Sequence, residues 1–270
     1  MKNLISLVTG GTSGVGKSVA LALAAQGSQV IVAGRDLIKT NGVCEHIAKV
    51  TKNKRVFPMI ADLSSREDID TLVSNMYAQF SRLDILINNA GSVFFKRRQS
   101  VDGIEMTFAL NHLNYFLLGN FLLDLLRKSP SPKIINVSSS AHKRSYIDFS
   151  DLQLKHNYRA WSAYGRSKLA NLLFTYQMDR NLQGSKIAVN AVHPGLVATN
   201  FLASNNKSLI ARVLNLFMRV GISSEESASK IMNILVSSEF QETSGKYFVN
   251  GMIEKSAPQS YSEKDAKQLW

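Results

Sequence analysis

Cysteine and long apolar runs are nearly absent from this sequence. The single cysteine, Cys44, cannot form an internal disulfide, which suits a reducing compartment. No apolar stretch approaches the roughly 18 residues that a membrane-spanning helix needs. The first strand-like run begins at Leu4, which leaves no room for a signal peptide before it. We therefore expect a cytoplasmic protein, and its 45% hydrophobic and 19% charged residues indicate a folded globular chain.

Acidic residues are also scarce relative to basic ones. The chain has 20 Asp and Glu against 32 Lys and Arg, which gives a net charge of +12. Such a charge attracts phosphates, anionic membrane surfaces or nucleic acids. The basic residues are scattered, however, and the densest clusters, at 96–98 and 143–144, are not interleaved with aromatic residues. We therefore expect no nucleic-acid partner.

Short β-branched runs alternate with longer amphipathic runs along the whole chain. This alternation predicts right-handed βαβ units, and hence a parallel sheet with helices on both faces. The predicted strands are 4–8, 29–33, 55–60, 83–87, 133–137, 187–192 and 246–249. The predicted helices are 16–26, 37–50, 66–80, 103–127, 162–183 and 225–237. We expect a doubly wound, Rossmann-type α/β fold of about seven strands in the order 3-2-1-4-5-6-7.

Pro58 and two long connections refine this prediction. Proline cannot donate to a strand ladder, so the third strand should lie at an edge, which is its place in this strand order. No linker divides the chain, so we expect one domain over 1–270 with a substrate-side helical insertion at about 196–221. The other long connection, 139–162, also follows the carboxyl end of a strand, where ligands bind in such sheets.

A glycine-rich turn follows the first predicted strand and opens the first predicted helix. Gly10 permits the tight turn, Gly14 lets the backbone approach phosphates, and Gly16 lets helix and sheet come close. The free N–H groups of the helix then face the pyrophosphate of a dinucleotide. A plain flexible turn is the alternative, but the strand and helix on either side favour dinucleotide binding. The predicted contacts are Gly10, Thr12, Ser13, Gly14, Val15 and Gly16.

The end of the second strand indicates which dinucleotide binds. An acidic residue there favours NAD, but this position looks like Gly34, and Arg35 follows it. A guanidinium can form a bidentate contact with a 2′-phosphate, so we predict NADP as cofactor and NAD as the weaker alternative. Asp36 complicates this if it turns inward, although a helix N-cap is its commoner role.

Two further strand ends provide candidate cofactor contacts. Asp62 and Leu63 follow the third strand, where adenine would lie, although Asp62 could equally be a cap. Asn88 ends the fourth strand, and the residues after it would border the cofactor and brace the sheet. These are Asn89, Ala90 and Gly91.

Tyr164 and Lys168 are four residues apart on a predicted helix and therefore share one face. An ammonium group beside a phenol stabilises the phenolate, so we expect Lys168 to lower the pKa of Tyr164 from about 10 toward neutrality. A tyrosine tuned in this way can exchange a proton with a substrate oxygen. The spacing alone also recurs by chance in surface pairs, so its weight comes from the other motifs.

Taken together, the motifs resemble those of the short-chain dehydrogenase/reductase superfamily along essentially the whole chain. The segments that carry the resemblance are 9–16, 88–91, Asn111, 138–140 and 164–168. Within it, the chain most resembles the branch that includes retinol dehydrogenases and protochlorophyllide reductase. The stretches typical of that branch are 111–113, 136–142, 167–171, 193–195 and 244–248.

The resemblance implies a catalytic set made of Asn111, Ser139, Tyr164 and Lys168. Tyr164 would be the acid or base, Lys168 would hold the nicotinamide ribose and lower the pKa of Tyr164, and Ser139 would bind the substrate oxygen. Asn111 would anchor a water linked to Lys168, with a satisfied core amide as its alternative role. Ser138 and Ser140 are the alternatives to Ser139.

The resemblance also implies contacts with the nicotinamide end beyond the sixth strand. The expected contacts are Pro194, Gly195, Val197 and Thr199. His112 and His142 have no clustered partner at metal-ligand spacing, so we expect structural roles for them and no metal.

The segment 207–220 carries a polar stripe on an otherwise apolar helical pattern. We interpret it as a lid over a hydrophobic pocket; a membrane-surface helix, a partner helix in an oligomer and core packing are alternatives. The branch implies a hydrophobic carbonyl or alcohol as substrate, retinoid-like or lipid-derived. We expect a homodimer or homotetramer and leave peripheral membrane contact open. The alternative function is a non-catalytic NADP-binding regulator or scaffold.

Overall fold

The computed structural model describes residues 1–195 and 222–270, in which eight strands form a single sheet. The strands are β1 Ile5–Thr9, β2 Gln29–Gly34, β3 Val56–Ile60, β4 Ile85–Asn88, β5 Lys133–Val137, β6 Ala188–His193, β7 Tyr247–Val249 and β8 Met252–Glu254. The α-helices are α1 Gly14–Ala25, α2 Leu37–Thr51, α3 Arg66–Gln79, α4 Met106–Phe108, α5 Asn114–Phe121, α6 Leu123–Arg127, α7 Ala160–Asn181, α8 Ser224–Val236 and α9 Glu263–Leu269. Short 3₁₀ turns span Ser140–Arg144, Ser238–Phe240 and Pro258–Tyr261.

The strand order is β3-β2-β1-β4-β5-β6-β7-β8, which confirms the predicted doubly wound order for the first seven strands. Those seven pair in parallel, with Leu7 opposite Ile31 on one side and Leu86 on the other. The eighth strand, β8, was not predicted. It pairs antiparallel with β7 after a two-residue turn in which Asn250 and Gly251 both have positive φ.

The central strands are buried on both faces because helices cover both sides of the sheet. Alternate residues enter two separate cores, so Leu7 packs with α3, α5 and α7, whereas Val8 packs with α1, α2 and α8. Every residue of β1, β4, β5 and β6 is buried. This explains why these strands are apolar without alternation in the sequence.

Pro58 lies in the edge strand β3, as predicted. It stands opposite Val32 of β2, its ring is exposed, and β3 pairs with no strand on its other side among the described residues. A proline that cannot donate a hydrogen bond therefore removes no bond from a central ladder.

The predicted helix at 103–127 is wrong in detail. The segment begins at Met106, passes through a π-helical turn at Ala109–Leu113, and breaks at Leu122 between α5 and α6. The side chain of Glu105 sets the start, since it accepts hydrogen bonds from the backbone of Thr107 and Phe108. The insertion at 196–221 lies outside the described residues.

Candidate active site

The glycine turn between β1 and α1 forms a tight cradle. Gly10 and Gly14 have φ of +62° and +51°, a region that side chains disfavour. A Cβ on Gly10 would lie 2.9 Å from Ala90 Cα, and one on Gly16 would lie 2.5 Å from Gly10 O. Ser13 precedes α1 in an extended conformation and makes no side-chain cap. The first N–H groups of the helix are therefore not capped by that hydroxyl, and an anion fits there.

Thr9 ties this turn to the end of β4. Its hydroxyl donates to Ile87 O at 3.2 Å and accepts from the backbone N–H groups of Asn89 and Ala90 at 2.9 and 3.1 Å. The Asn89 amide in turn donates to Thr9 O at 2.9 Å. The structure thus brings Gly10, Asn89 and Ala90 together, at the carboxyl edge of the sheet.

Arg35 follows β2 directly and is exposed, so its guanidinium can reach a charged group at the rim of the cradle. Asp36 does not turn inward, because its side chain accepts from Lys39 N at 2.8 Å and caps α2. A glycine is needed at position 34, between these two residues and the cradle, because a side chain would not fit. A Cβ there would lie 2.5 Å from Thr12 Cγ2 and 2.6 Å from Thr40 Oγ1.

Asp62 forms a local turn before α3, whose N-cap is Ser65. Its Oδ1 accepts from the backbone and the hydroxyl of Ser64 at 2.9 and 2.7 Å, and its own N–H donates to Asp68 at 2.7 Å. Leu63 beside it is buried. Contact of this pair with adenine stays a prediction.

Asn111 lies within the π-helical turn, wholly buried. Its side-chain amide accepts from Ser92 N at 2.8 Å and donates to Ser92 O and Ser167 Oγ, both at 3.0 Å. Its backbone carbonyl accepts from the Asn171 amide at 2.9 Å. Asn111 is therefore a satisfied core amide in this structure, and the water-anchoring role stays a prediction.

Tyr164 and Lys168 lie on α7, one turn apart, with the Lys168 ammonium 5.7 Å from the centroid of the Tyr164 ring. The ammonium donates to Val137 O at the end of β5 at 2.8 Å and lies 5.4 Å from the Tyr115 ring. Lys168 is buried, whereas Tyr164 is partly exposed. The Lys168 ammonium therefore meets the sheet at its carboxyl edge, near Gly91.

The predicted direction of the Tyr164 pKa is wrong in this structure. Burial raises the pKa of Tyr164 to about 12, and a hydrogen bond with Ser139 only partly offsets it. Burial also lowers the pKa of Lys168 to about 7. A lysine that is removed from water favours its neutral form more strongly. Lys168 therefore stabilises the Tyr164 phenolate less than a fully charged ammonium would.

The three serines after β5 differ in their surroundings. Ser138 is buried, and its hydroxyl donates to Lys168 O at 2.9 Å, which joins β5 to α7. Ser140 is exposed and begins a 3₁₀ turn. Ser139 lies between them, partly exposed and hydrogen-bonded to Tyr164. The geometry favours Ser139 as the serine that meets a substrate oxygen.

The loop from Ser145 to Arg159 is held over the same edge by long-range hydrogen bonds. Tyr158 donates to Phe94 O at 2.7 Å, and Arg97 donates to Gln153 O at 3.0 Å. The buried Arg166 of α7 donates to Asp151 O at 2.7 Å. These bonds join the loop to the segment 94–98 and to α7, the helix that carries Tyr164.

The predicted contacts beyond β6 are only partly described. Pro194 accepts from the Ser227 hydroxyl at 2.7 Å, and Gly195 has φ of +92° with Ile222 packed against the place of its absent side chain. Val197 and Thr199 lie outside the described residues. Among residues 1–195 and 222–270, no group of three or more His, Cys, Asp or Glu side chains could hold a metal ion.

Two polar residues support the site; from the sequence, only a structural role was expected for His142, and Asn171 was not singled out. Asn171 Oδ1 accepts from His112 Nδ1 at 3.1 Å and its amide nitrogen donates to Asn111 O, which joins α7 to the π-helical turn. His142 hydrogen-bonds both Ser139 O and Ala257 N. The signal for Asn171 was a polar residue on an otherwise apolar part of the predicted helix 162–183, whereas His142 lies in a predicted connection.

The residues at this edge fit NADP. The start of α1 has no side-chain cap and can therefore accept a phosphate, and Arg35 at the end of β2 is exposed. The close approach at Gly10 and Gly16 leaves backbone rather than side chains to line the cradle. None of the helices in the described part of the chain is long and apolar enough to cross a bilayer.

Comparison with known proteins assigns the family. The profile described as short chain dehydrogenase matches residues 5–209. Human retinol dehydrogenase 13 is 38% identical over 270 residues, which cover 98% of this chain and 81% of that protein. The chloroplastic short-chain dehydrogenase TIC 32 A of Brassica napus is 34% identical, over 100% of this chain and 87% of that protein.

Solved structures share the fold. An uncharacterised protein from Mycobacterium paratuberculosis superposes with a TM-score of 0.79 at 26% identity, over 100% of this chain and 91% of that chain. RhlG of Pseudomonas aeruginosa, solved as an NADP active-site complex, gives a TM-score of 0.74 at 25% identity, over 92% of this chain and 95% of that chain. The chain therefore belongs to the short-chain dehydrogenase family, in its retinol dehydrogenase-like branch, and is an oxidoreductase of the kind that acts on CH–OH groups.

Proposed function

We propose that this protein reduces a hydrophobic aldehyde or ketone with NADPH, using Tyr164 as the proton donor and Ser139 as the group that binds the carbonyl oxygen. The observation that carries the proposal is the hydrogen-bonded Ser139 and Tyr164 pair, whose phenol has its pKa raised to about 12 by burial. A phenol with that pKa is protonated at neutral pH. It therefore carries the proton that the carbonyl oxygen needs during reduction.

The cradle and the rim of β2 support NADP as the cofactor. Gly10, Gly14 and Gly16 would hold the pyrophosphate, and Arg35 would hold the 2′-phosphate. NADPH, when bound, supplies the hydride that reduces the carbonyl carbon. A relative of known structure, RhlG, is an NADP complex. Contacts of Thr12, Ser13, Val15, Leu63 and Gly91 with the cofactor are part of this proposal.

The proton follows a defined route through this chain's own side chains. The Tyr164 hydroxyl transfers its proton to the oxygen that becomes negative, and Ser139 Oγ donates a hydrogen bond to the same oxygen. Lys168 lies within one helical turn of the phenol. Its pKa of about 7 lets it gain or lose a proton near neutral pH and so return one to Tyr164.

The surroundings of Tyr164 support an apolar substrate. Trp161 is half exposed one turn before it on α7, with ring centroids 6.2 Å apart at 85°. Apolar rings at the mouth favour a substrate with apolar or conjugated carbons. The relatives named retinol dehydrogenase make a retinoid-like or lipid-derived carbonyl the first candidate. The segment 207–220 would cover the pocket as a lid.

Some properties of the whole protein stay predictions of the sequence. These are one domain over 1–270, a cytoplasmic location with membrane contact left open, and a homodimer or homotetramer. The interpretation of 207–220 as a lid predicts that deleting it changes specificity for long apolar substrates.

The test is reduction of a panel of aromatic and aliphatic aldehydes by the purified protein with NADPH. Tyr164→Phe removes the proton but keeps the ring, so NADPH binding should persist while turnover falls by about two to four orders of magnitude. Tyr146→Phe, at an exposed tyrosine of the neighbouring loop, is the matched control and should retain wild-type turnover. Similar activity in Tyr164→Phe would contradict the acid role. NADPH binding without any turnover by the wild type would favour a non-catalytic regulator.

A further inference from the structure

His142 connects the backbone of Ser139 to the C-terminal part of the chain. It lies in the 3₁₀ turn Ser140–Arg144, wholly buried, with its ring edge-on to Tyr247 at 5.3 Å. Its Nε2 accepts from the backbone N–H of Ala257 at 3.1 Å. That nitrogen is therefore unprotonated, so Nδ1 carries the proton and donates to Ser139 O at 2.6 Å.

The same 3₁₀ turn is held from two further sides. The side chain of Gln259 donates to the carbonyls of His142, Lys143 and Ser145 at 3.3, 3.2 and 2.9 Å. On the opposite side, α7 comes so close that a Cβ on Gly165 would lie 2.8 Å from Ala141 O. Gly165 directly follows Tyr164. The turn that carries Ser139 is thus fixed between the helix that carries Tyr164 and the segment 257–259.

We propose that His142 is a positioning residue, whose Nδ1–H fixes the backbone of Ser139 so that its hydroxyl meets Tyr164 and the substrate oxygen. This inference rests on the proposed reduction but assigns a role to a residue outside the catalytic set. The two ring nitrogens of His142 have different roles. Nδ1 acts on the serine, whereas Nε2 anchors the segment that begins at Ala257.

The chemistry of the ring favours this role over simple filling of the core. Burial lowers the pKa of His142, so the ring stays neutral and keeps one donor and one acceptor at neutral pH. A buried imidazole without partners would be costly, and an apolar side chain would fill the space against Tyr247 without that cost. Ser139 O has this donor in addition to the backbone N–H of His142 at 3.2 Å.

Two substitutions separate the two nitrogens. His142→Asn places an amide N–H where Nδ1 stands and loses the bond to Ala257, whereas His142→Gln places an amide oxygen near Nε2 and loses the donor to Ser139. Each variant loses one buried hydrogen bond, so their thermal midpoints should fall by similar amounts. His156→Asn, at an exposed histidine of the neighbouring loop, is the control and should behave like the wild type.

We expect His142→Asn to keep kcat within about threefold of the wild type and His142→Gln to lower kcat about 10- to 100-fold, the effect of a misplaced catalytic group. The KM for NADPH should not change in either variant, since the cradle is intact. Equal kcat losses in the two variants, or an unchanged kcat in His142→Gln, would overturn the proposal while leaving the reduction itself established.

Two measurements without turnover distinguish failure of this inference from failure of the proposed function. If the wild type reduces no carbonyl, the proposed function fails, but backbone hydrogen exchange still tests the turn. Peptides over 139–145 should exchange faster in His142→Gln than in His142→Asn, and equal exchange would contradict the proposal. Nitrogen-15 spectra of the wild type should show the Nδ1–H tautomer at His142. The Nε2–H tautomer would contradict it without any substitution.

Discussion

The side chains of Tyr164 and Lys168 show how burial and charge compete at single residues. Their spacing of four residues on a helix places them on one face. The Lys168 ammonium donates a hydrogen bond to Val137 O, however, and is buried there away from water. Desolvation therefore dominates both groups, and it raises the pKa of Tyr164 while it lowers that of Lys168. The phenol of Tyr164 therefore stays protonated at neutral pH.

We propose that the choice between NADP and NAD depends on Arg35. Removing its guanidinium in Arg35→Ala should weaken a charge-assisted contact worth roughly 1.5–3 kcal/mol, and so raise the KM for NADPH about 10- to 150-fold. The KM for NADH, which has no 2′-phosphate, should change little. Lys49→Ala, at the exposed far end of α2, removes the same charge and is the control. Equal changes for the two cofactors would contradict the 2′-phosphate contact.

At the scale of elements, the site depends on how closely α1 approaches the end of β4. The backbone of Gly10, the amide of Asn89 and the position of Gly16 meet there, with no room for another carbon. The π-helical turn at Ala109–Leu113 has a similar effect on the other side, because it turns Asn111 toward Ser92 and Ser167. Such turns recur at functional sites, where an extra residue redirects a side chain.

Gly16→Ala tests this approach. The added Cβ would overlap the Asn89 amide and lie 2.5 Å from Gly10 O, so we expect a loss of about 1–3 kcal/mol in the free energy of unfolding and weaker NADPH binding. Gly42→Ala is the matched control in a helix, since a Cβ there meets nothing within 4 Å. It should stabilise the protein by roughly 0.5–1 kcal/mol. Urea unfolding and NADPH fluorescence titration measure both effects, and a neutral Gly16→Ala would exclude the packing argument.

At the scale of the whole molecule, buried histidines link stability to pH. Burial lowers the pKa of His112 and of His193 to about 4, and Nδ1 of His193 has no hydrogen-bond partner among the described residues. Between pH 6.5 and 4 the unfolded chain binds protons at these positions and the folded chain does not. The free energy of unfolding therefore falls as the pH falls through this window.

The expected loss between pH 7.5 and pH 5 is about 2 kcal/mol for each of these two histidines. Urea unfolding at several pH values measures it. His193→Asn should reduce the slope of the unfolding free energy against pH, because asparagine does not titrate. His46→Asn, at an exposed histidine of α2, should leave the slope unchanged. A flat profile between pH 7.5 and pH 5 would contradict the neutral, buried state of His112 and His193.

The sequence by itself determined the strand order, the edge position of Pro58, the glycine cradle and the helix that carries Tyr164 and Lys168. These features depend on the periodicity of apolar residues, on the backbone freedom of glycine and on the N–H group that proline lacks. All three can be read directly from the sequence. The π-helical turn that places Asn111 and the link from His142 to Ala257 were decided only by the tertiary structure. The reason is physical: each depends on contacts between residues far apart in the chain, 56 residues for Asn111 and Ser167 and 115 residues for His142 and Ala257. The pKa values of Tyr164 and Lys168 also depend on the tertiary structure. Burial removes water from around both side chains, and local spacing cannot predict which segments bury them.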